Sequence, residues 1–352
     1  MYLNKYYKIW LPITSILLFF VVIELICRTL DFTDPSTMGF KFYVRHVDND
    51  VHYPFMIEDP LFMWSPKPNY EGNVKSGGFI KINSEGFRDK EYKIKKDKNS
   101  FRILSLGDSS TFGWGVNSFS KLYHTLLEEK LNKDFNPNIN YEVINGGVTG
   151  YTSHQGLNIY KKKFVKYKPD VVTFYFGINE KKSAFYLNDR QIMQPKTSDN
   201  VIALKSYFME KSAFYRLLSI IALNINAKFR KRVQRVSLED FGRDIVEMNE
   251  LCKKNGAMLL LISPLLNNDH WPSYNFPIKA KRFVYNYREK LEDIAKQHNI
   301  PLLTIDQLTE KSSIPNKKFF ADSVHPNEQG NIILMEFLLD SLKEHTNLGM
   351  SN

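Results

Sequence analysis

"FRILSLGDSSTFGWGV" (residues 101–116) changes character halfway along. Arg102 to Leu106 make a short apolar run of the kind a buried strand shows, after which glycines at 107, 113 and 115 surround an acid and two adjacent serines. A serine on a sharp strand-to-helix turn projects its hydroxyl beyond the sheet edge, and glycine lets the backbone turn closely there. A backbone N–H at the start of the following helix can face a developing negative charge. The same residues also admit a plainer reading, with Ser109, Ser110 or Thr111 as an ordinary helix cap. A phosphate-binding loop is excluded, because no Gly-Lys-Ser/Thr follows.

Four more short apolar runs follow: "YEVIN" (141–145), "DVVTFYF" (170–176), "AMLLLIS" (257–263) and "PLLTI" (301–305). Their near-continuous apolar character predicts strands buried on both faces. Helix-period segments alternate with them: "SKLYHTLLEEKLNK", "SHQGLNIYKKKFVKYK", "EDFGRDIVEMNELCKKNG", "KRFVYNYREKLEDIAKQHN" and "NEQGNIILMEFLLDSLKEH". Strand–helix alternation predicts an α/β fold with a parallel sheet covered on both sides. Residues 183–238 are too long for a simple connection and contain helical "KSAFYRLLSIIALNI", which predicts an inserted helical region. Residues 29–100, with turn signals such as "PKPNYEGN" and "SGGF", read as a lead-in packed on the main domain, including a strand and turn in "GGFIKINSEGFRD" (77–89).

The 352 residues carry 48 Lys and Arg against 38 Asp and Glu, a net charge of +10. The excess is mostly scattered lysine, and no nucleic-acid fingerprint accompanies it. Two cysteines, Cys27 and Cys252, make neither a disulfide framework nor a zinc spacing. No metal cluster or cofactor motif is read, so neither metal nor cofactor is expected.

The segment "IWLPITSILLFFVVIELI" (9–26) is long enough to cross most of a hydrocarbon layer. Lys5 and Lys8 before it and Arg28 after it suit interfacial ends, and Glu24 lies four residues before Arg28, at helical pairing distance. No small-x-small site follows Ile26, so an uncleaved single-pass anchor over 9–28 is expected, with residues 1–8 a short cytoplasmic tail and the large domain outside. The flanking charges themselves do not decide the orientation.

In a parallel sheet the reactive groups gather in loops at the carboxyl ends of the strands. After the second main strand comes "NGGVTGYTSHQG", containing Gly150; after the third comes "FGINE", with Gly177 and Asn179. A glycine N–H and an asparagine amide suit an oxyanion hole, and both are also ordinary loop residues. Near the end, "FFADSVHPNEQG" puts Asp322 three residues before His325, close enough for the carboxylate to fix the imidazole tautomer, and equally readable as a helix-capping aspartate beside a surface histidine. Pro326 suits the first position of the final helix. His154, Asp269 and His270 are candidates for substrate contact.

Taken in order, "GDSS", "VTGYTS", "GINE" and "DSVHP" resemble the four blocks of the GDSL or SGNH hydrolase family over residues 101–345. The resemblance implies a flavodoxin-like three-layer α/β/α fold with a five-stranded parallel sheet, followed by a tail from 346. It implies Ser109 as nucleophile, His325 as general base, Asp322 as its orienter, and an oxyanion hole of the Ser109 N–H, the Gly150 N–H and the Asn179 side chain. Glu180 stands where the family often has aspartate, and the first block ends in serine in place of leucine. The anchor and "INSEGFRD" resemble bacterial envelope members, which implies an acyl ester substrate on surface polysaccharide or lipid. Hydrolysis and O-acyl transfer use the same residues and stay open as alternatives, as does a non-catalytic binding protein that keeps the fold.

Overall fold

The computed structural model describes residues 3–30, 53–59, 61–74, 77–184, 188–193, 204, 207–208, 211–228, 233–266, 278–304 and 318–348. In chain order these residues form α1 (Leu3–Thr29), β1 (Met56–Asp59), β2 (Met63–Pro66), β3 (Glu71–Val74), β4 (Gly78–Lys81), β5 (Ser100–Gly107) and the four-residue α2 (Ser109–Phe112). Next come α3 (Tyr123–Asp134), β6 (Asn140–Gly147), α4 (Ser153–Lys162), β7 (Val171–Tyr175), β8 (Ser183–Ala184), α5 (Asp189–Met193) and α6 (Ala213–Lys228). The chain continues with β9 (Val233–Gln234), α7 (Leu238–Lys254), β10 (Met258–Ile262), α8 (Ile278–His298), β11 (Leu302–Leu303) and α9 (Glu328–His345).

The main sheet is parallel, in the order β6-β5-β7-β10-β11. Counted along the chain this is the 2-1-3-4-5 order of the flavodoxin-like fold, whose strand order reverses between β5 and β7. Neighbouring residues in each strand go to opposite cores. Leu104, Ile144, Val172 and Leu259 join one cluster with side chains of α4, α7 and α8. Ile103, Val143, Val171 and Leu260 join another with α3 and α9. This two-sided burial is why the strands read as unbroken apolar runs.

The lead-in belongs to the first of these cores. Its hairpins β1–β2 and β3–β4 are antiparallel, and Phe55, Trp64, Ile80, Ile82 and Phe87 are buried with the sheet. Trp64 donates its indole N–H to Thr149 O (3.0 Å), and the Tyr151 hydroxyl donates to Trp64 O (2.6 Å).

Two local expectations change. The helix predicted through "SHQGLNIYKKKFVKYK" stops at Lys162. Phe164–Tyr167 is a 3-10 turn ended by Lys168 at φ +50°, which turns the chain toward β7. Pro326 is not the first residue of the last helix: Asn327 caps it, its side-chain oxygen accepting from Gly330 N (2.9 Å), and Pro326 bridges to Phe320.

The insertion leaves and re-enters through a two-stranded neck in which Ser183 faces Gln234 and Ala184 faces Val233. At the other end of the chain, the segment Trp10–Thr29 has a mean hydropathy of 2.3. It is long and apolar enough to cross a membrane, a property a signal sequence near the N-terminus shares. Pro12 lies inside α1. The Thr14 and Ser15 hydroxyls donate back along the helix to the carbonyls of Trp10 (2.9 Å) and Leu11 (2.8 Å).

Candidate active site

β5 ends at Gly107 and α2 begins at once, with Asp108 as its cap: the carboxylate accepts from Ser110 N (2.9 Å). The cap is therefore the acid, and Ser109 is free of that duty. The turn is tight enough that a Cβ on Gly107 would lie 2.0 Å from Thr111 Oγ1, so the strand must end in glycine.

Ser109 meets the last loop of the domain. His325 Nε2 lies 2.7 Å from Ser109 Oγ, and His325 Nδ1 lies 2.6 Å from Asp322 Oδ2. The other Asp322 oxygen accepts the backbone N–H groups of Val324 (2.8 Å) and His325 (2.9 Å). Burial opposes ionisation of Asp322. The hydrogen bonds from the His325 ring and from these two N–H groups outweigh it and hold the carboxyl below its usual range. With Nδ1–H donated to the carboxylate, Nε2 is left to accept the serine proton.

Gly150 lies in the loop after β6 and Asn179 in the loop after β7, and Asn179 links the glycine loop to the turn that holds Ser109. Gly150 has φ +76°, a left-handed conformation that favours glycine. Asn179 is buried, and its amide donates to Tyr151 O (3.0 Å) and, at a longer 3.2 Å, to Asp108 Oδ2. Burial raises the Asp108 carboxyl.

The remaining candidates separate from the site or lie outside the described residues. His154 is buried in a structural network: its Nδ1 is 3.0 Å from Asp244 Oδ1, which also accepts from Arg190 (2.6 Å). Asp269 and His270 lie outside the described residues. Among the described residues no three His, Cys, Asp or Glu side chains gather as a metal site.

Two arginines brace the site, and neither was legible as a site residue. Arg88, from the lead-in, is buried and donates to the carbonyls of Gly113 (2.5 Å) and Val116 (2.8 Å), in the loop just after Ser109. Burial pulls its pKa down to about 10. Arg235, at the far end of the insertion, donates to Gly150 O (2.7 Å), Gln155 Oε1 (2.6 Å) and Asp189 Oδ2 (2.7 Å). Asp189 accepts in turn from the Thr152 hydroxyl (2.8 Å). A planar guanidinium spans these acceptors as an ammonium cannot.

Arg235→Lys is therefore expected to lower kcat about 10-fold through misplacement of the Gly150 peptide, with KM nearly unchanged. Steady-state kinetics beside thermal melting decide it. A lower Tm with an intact kcat would leave Arg235 a structural ion-pair partner only.

Glu180 is buried with Oε1 accepting from Ser153 N (2.7 Å), and Oε2 has no partner among the described residues. Burial pushes its pKa up to about 7, against the opposing hydrogen bond from Ser153 N–H. The unfolded chain ionises near 4.5 while the folded one keeps its proton to about 7, so wild-type stability falls as pH rises between these values. Glu180→Gln removes that loss and is expected to be more stable than wild type at pH 8 by roughly 3 kcal/mol, with the gap closing near pH 4.5. Melting curves at both pH values test this, and an equal gap at the two would refute it.

The family model of the GDSL-like lipase/acylhydrolase family matches residues 105–332. No curated protein matches the sequence. Among solved structures, LAE5, an alpha/beta hydrolase from the metagenome of Lake Arreo, is 17% identical over 69% of this chain and 95% of its own, with a TM-score of 0.46. The lipase/acylhydrolase from Enterococcus faecalis is 17% identical over 71% and 100%, with a TM-score of 0.46. The psychrotrophic esterase EstA from Pseudoalteromonas sp. is 16% identical over 70% and 98%, with a TM-score of 0.43.

Proposed function

Since the chain belongs to the GDSL-like lipase/acylhydrolase family and is an ester-bond hydrolase, we propose that its reaction runs through Ser109, His325 and Asp322 by way of an acyl-enzyme. The observation that carries this reading is the unbroken relay from Asp322 through His325 to Ser109, at 2.6 and 2.7 Å. His325 Nε2 takes the Ser109 proton as Oγ attacks the ester carbonyl, and Asp322 holds the resulting imidazolium. The proton then passes to the leaving alkoxide, and the alcohol departs. A water, deprotonated by His325, attacks the acyl-enzyme, releasing the acid and restoring Ser109.

The tetrahedral oxyanion is held by the N–H groups of Ser109 and Gly150 and the Asn179 amide, whose longer contact, with Asp108, gives way to it. In this reading α1 stays on the mature protein as a single-pass anchor, with the catalytic domain on the outer side and residues 29–100 as its lead-in. The support is the joint between α1 and the insertion: Glu24 accepts from Ala213 N (2.9 Å) and Arg28 donates to Lys211 O (2.7 Å). A cleaved leader would leave that joint empty. Substrates are then acyl esters of surface glycan or lipid.

The test is covalent trapping. A fluorophosphonate probe is expected to add to one residue, Ser109, as read by peptide mass, and not to label Ser109→Ala. Labelling elsewhere would overturn the assignment. Acylated glycan supplied with and without a second, unacylated glycan then distinguishes release of the acid to water from transfer to sugar.

A further inference from the structure

The insertion carries an apolar helix face that no described part of the chain covers. Along α6, Leu218, Ile221 and Ile225 are 46%, 42% and 56% exposed, and Ala222 is exposed beside them. Their spacing of i, i+3, i+4 and i+7 makes one continuous stripe. Single apolar residues on a surface are ordinary, but a stripe marks something to be covered. At 16 residues the helix is about 24 Å long, short of the ~30 Å needed to cross a bilayer.

Where α6 begins is fixed by α1. The Glu24 carboxylate accepts from Ser212 Oγ (2.8 Å), Ala213 N (2.9 Å) and Phe214 N (3.0 Å), so one helix caps the first turn of the other. Arg28 closes the joint, donating to Glu24 (2.9 Å) and to Lys211 O (2.7 Å). The rings of Phe20 and Phe214 meet at 6.0 Å. A carboxylate within an apolar span is costly unless partnered, and its partners here are the N–H groups and hydroxyl at the head of α6. From the last residue of this helix onward the sequence reads "KFRKR" (228–232), a basic cluster suited to anionic headgroups.

We propose that α6 lies in the surface layer of the same anionic bilayer that α1 crosses. Its Leu218–Ile221–Ala222–Ile225 face rests among the acyl chains, and Glu24 pins its head to the outer end of the span. This rests on the reading of α1 as a retained anchor. The insertion thereby becomes a second membrane contact, and because it returns through β9 to Arg235, the same excursion that touches lipid also supplies the brace on Gly150.

The experiment uses the full chain in phosphatidylethanolamine/phosphatidylglycerol vesicles, spin-labelled singly at Leu218→Cys, Ile221→Cys or Ile225→Cys in a Cys27→Ala, Cys252→Ala background. Leu17→Cys reports the span and Glu239→Cys the aqueous side. The three α6 labels are expected to lose broadening by an aqueous nickel chelate and to gain broadening by oxygen, as Leu17→Cys does. Labels as open to nickel as Glu239→Cys, with Leu17→Cys still protected, would overturn the placement of α6 and leave the anchor standing. Nickel access at Leu17→Cys as well would bring down the anchor reading itself. Protection with spin–spin broadening that vanishes on dilution with unlabelled protein would assign the stripe to a second copy and refute a lipid contact.

Discussion

Replacing Ser109 by alanine is expected to lower the hydrolysis of p-nitrophenyl acetate by at least about 10,000-fold in kcat, to the level that binding and oxyanion stabilisation would sustain without the proposed nucleophile. The expected size follows from the proposed covalent mechanism: without Oγ, His325 would have only water to activate, and no acyl-enzyme would form. Ser109 Oγ lies on a partly buried side of the turn, so the truncation removes one hydrogen bond, to His325, and is expected to leave Tm nearly unchanged. Ser110→Ala is the control. The Ser110 hydroxyl donates to Val324 O at 3.3 Å and faces the histidine loop without touching the imidazole, so its loss is expected to leave most of the activity. Equal rates for wild type and Ser109→Ala would show that another residue is the nucleophile.

Asp322→Asn is expected to cost about 10,000-fold in kcat, a penalty out of proportion to the loss of one negative charge. The asparagine oxygen can still accept the N–H groups of Val324 and His325, which keeps the loop in place. Its amide nitrogen, however, would donate to His325 Nδ1 where the carboxylate oxygen now accepts. The ring proton would then sit on Nε2, the atom that takes the Ser109 proton in the proposed mechanism. Kinetics of Asp322→Asn beside Asp322→Ala separate tautomer from charge: the alanine variant leaves the ring free to turn and is expected to keep more activity than the asparagine variant. Retention of near-wild-type kcat by Asp322→Asn would mean that another group orients His325.

The sheet was readable from sequence because both of its faces are buried, so each strand shows as an unbroken apolar run between turn signals. The edge strand β11 is the weak case: "PLLTI" reads like its neighbours, yet among the described residues only Leu302 and Leu303 pair with β10. The site residues sit at fixed short offsets, Asp108 next to Ser109 and Asp322 three before His325, and such offsets survive in a linear reading. Arg88 and Arg235 do not work that way. Arg235 reaches Gly150 across 85 positions and Arg88 reaches Gly113 across 25, so each looks like one more basic residue in a chain that has many. The helix cap at Asn327 was missed for a related reason. Proline after histidine is a familiar start signal, but the side chain one position later captures the Gly330 N–H and sets the boundary.

The bracing by Arg88, Trp64 and Asp89 has a consequence for where this enzyme can be cut. Asp89 accepts the Asn145 N–H (2.7 Å) and Trp64 holds Thr149, so the hairpins ahead of residue 101 tie down the loops that follow both β5 and β6. The stretch recognisable by kinship starts at residue 105, but a piece of chain that keeps the lead-in ties to the Ser109 turn starts no later than Tyr53. Proteolysis or domain grafting at the kinship boundary would yield a sheet with slack loops, whereas a cut ahead of Tyr53 keeps these ties.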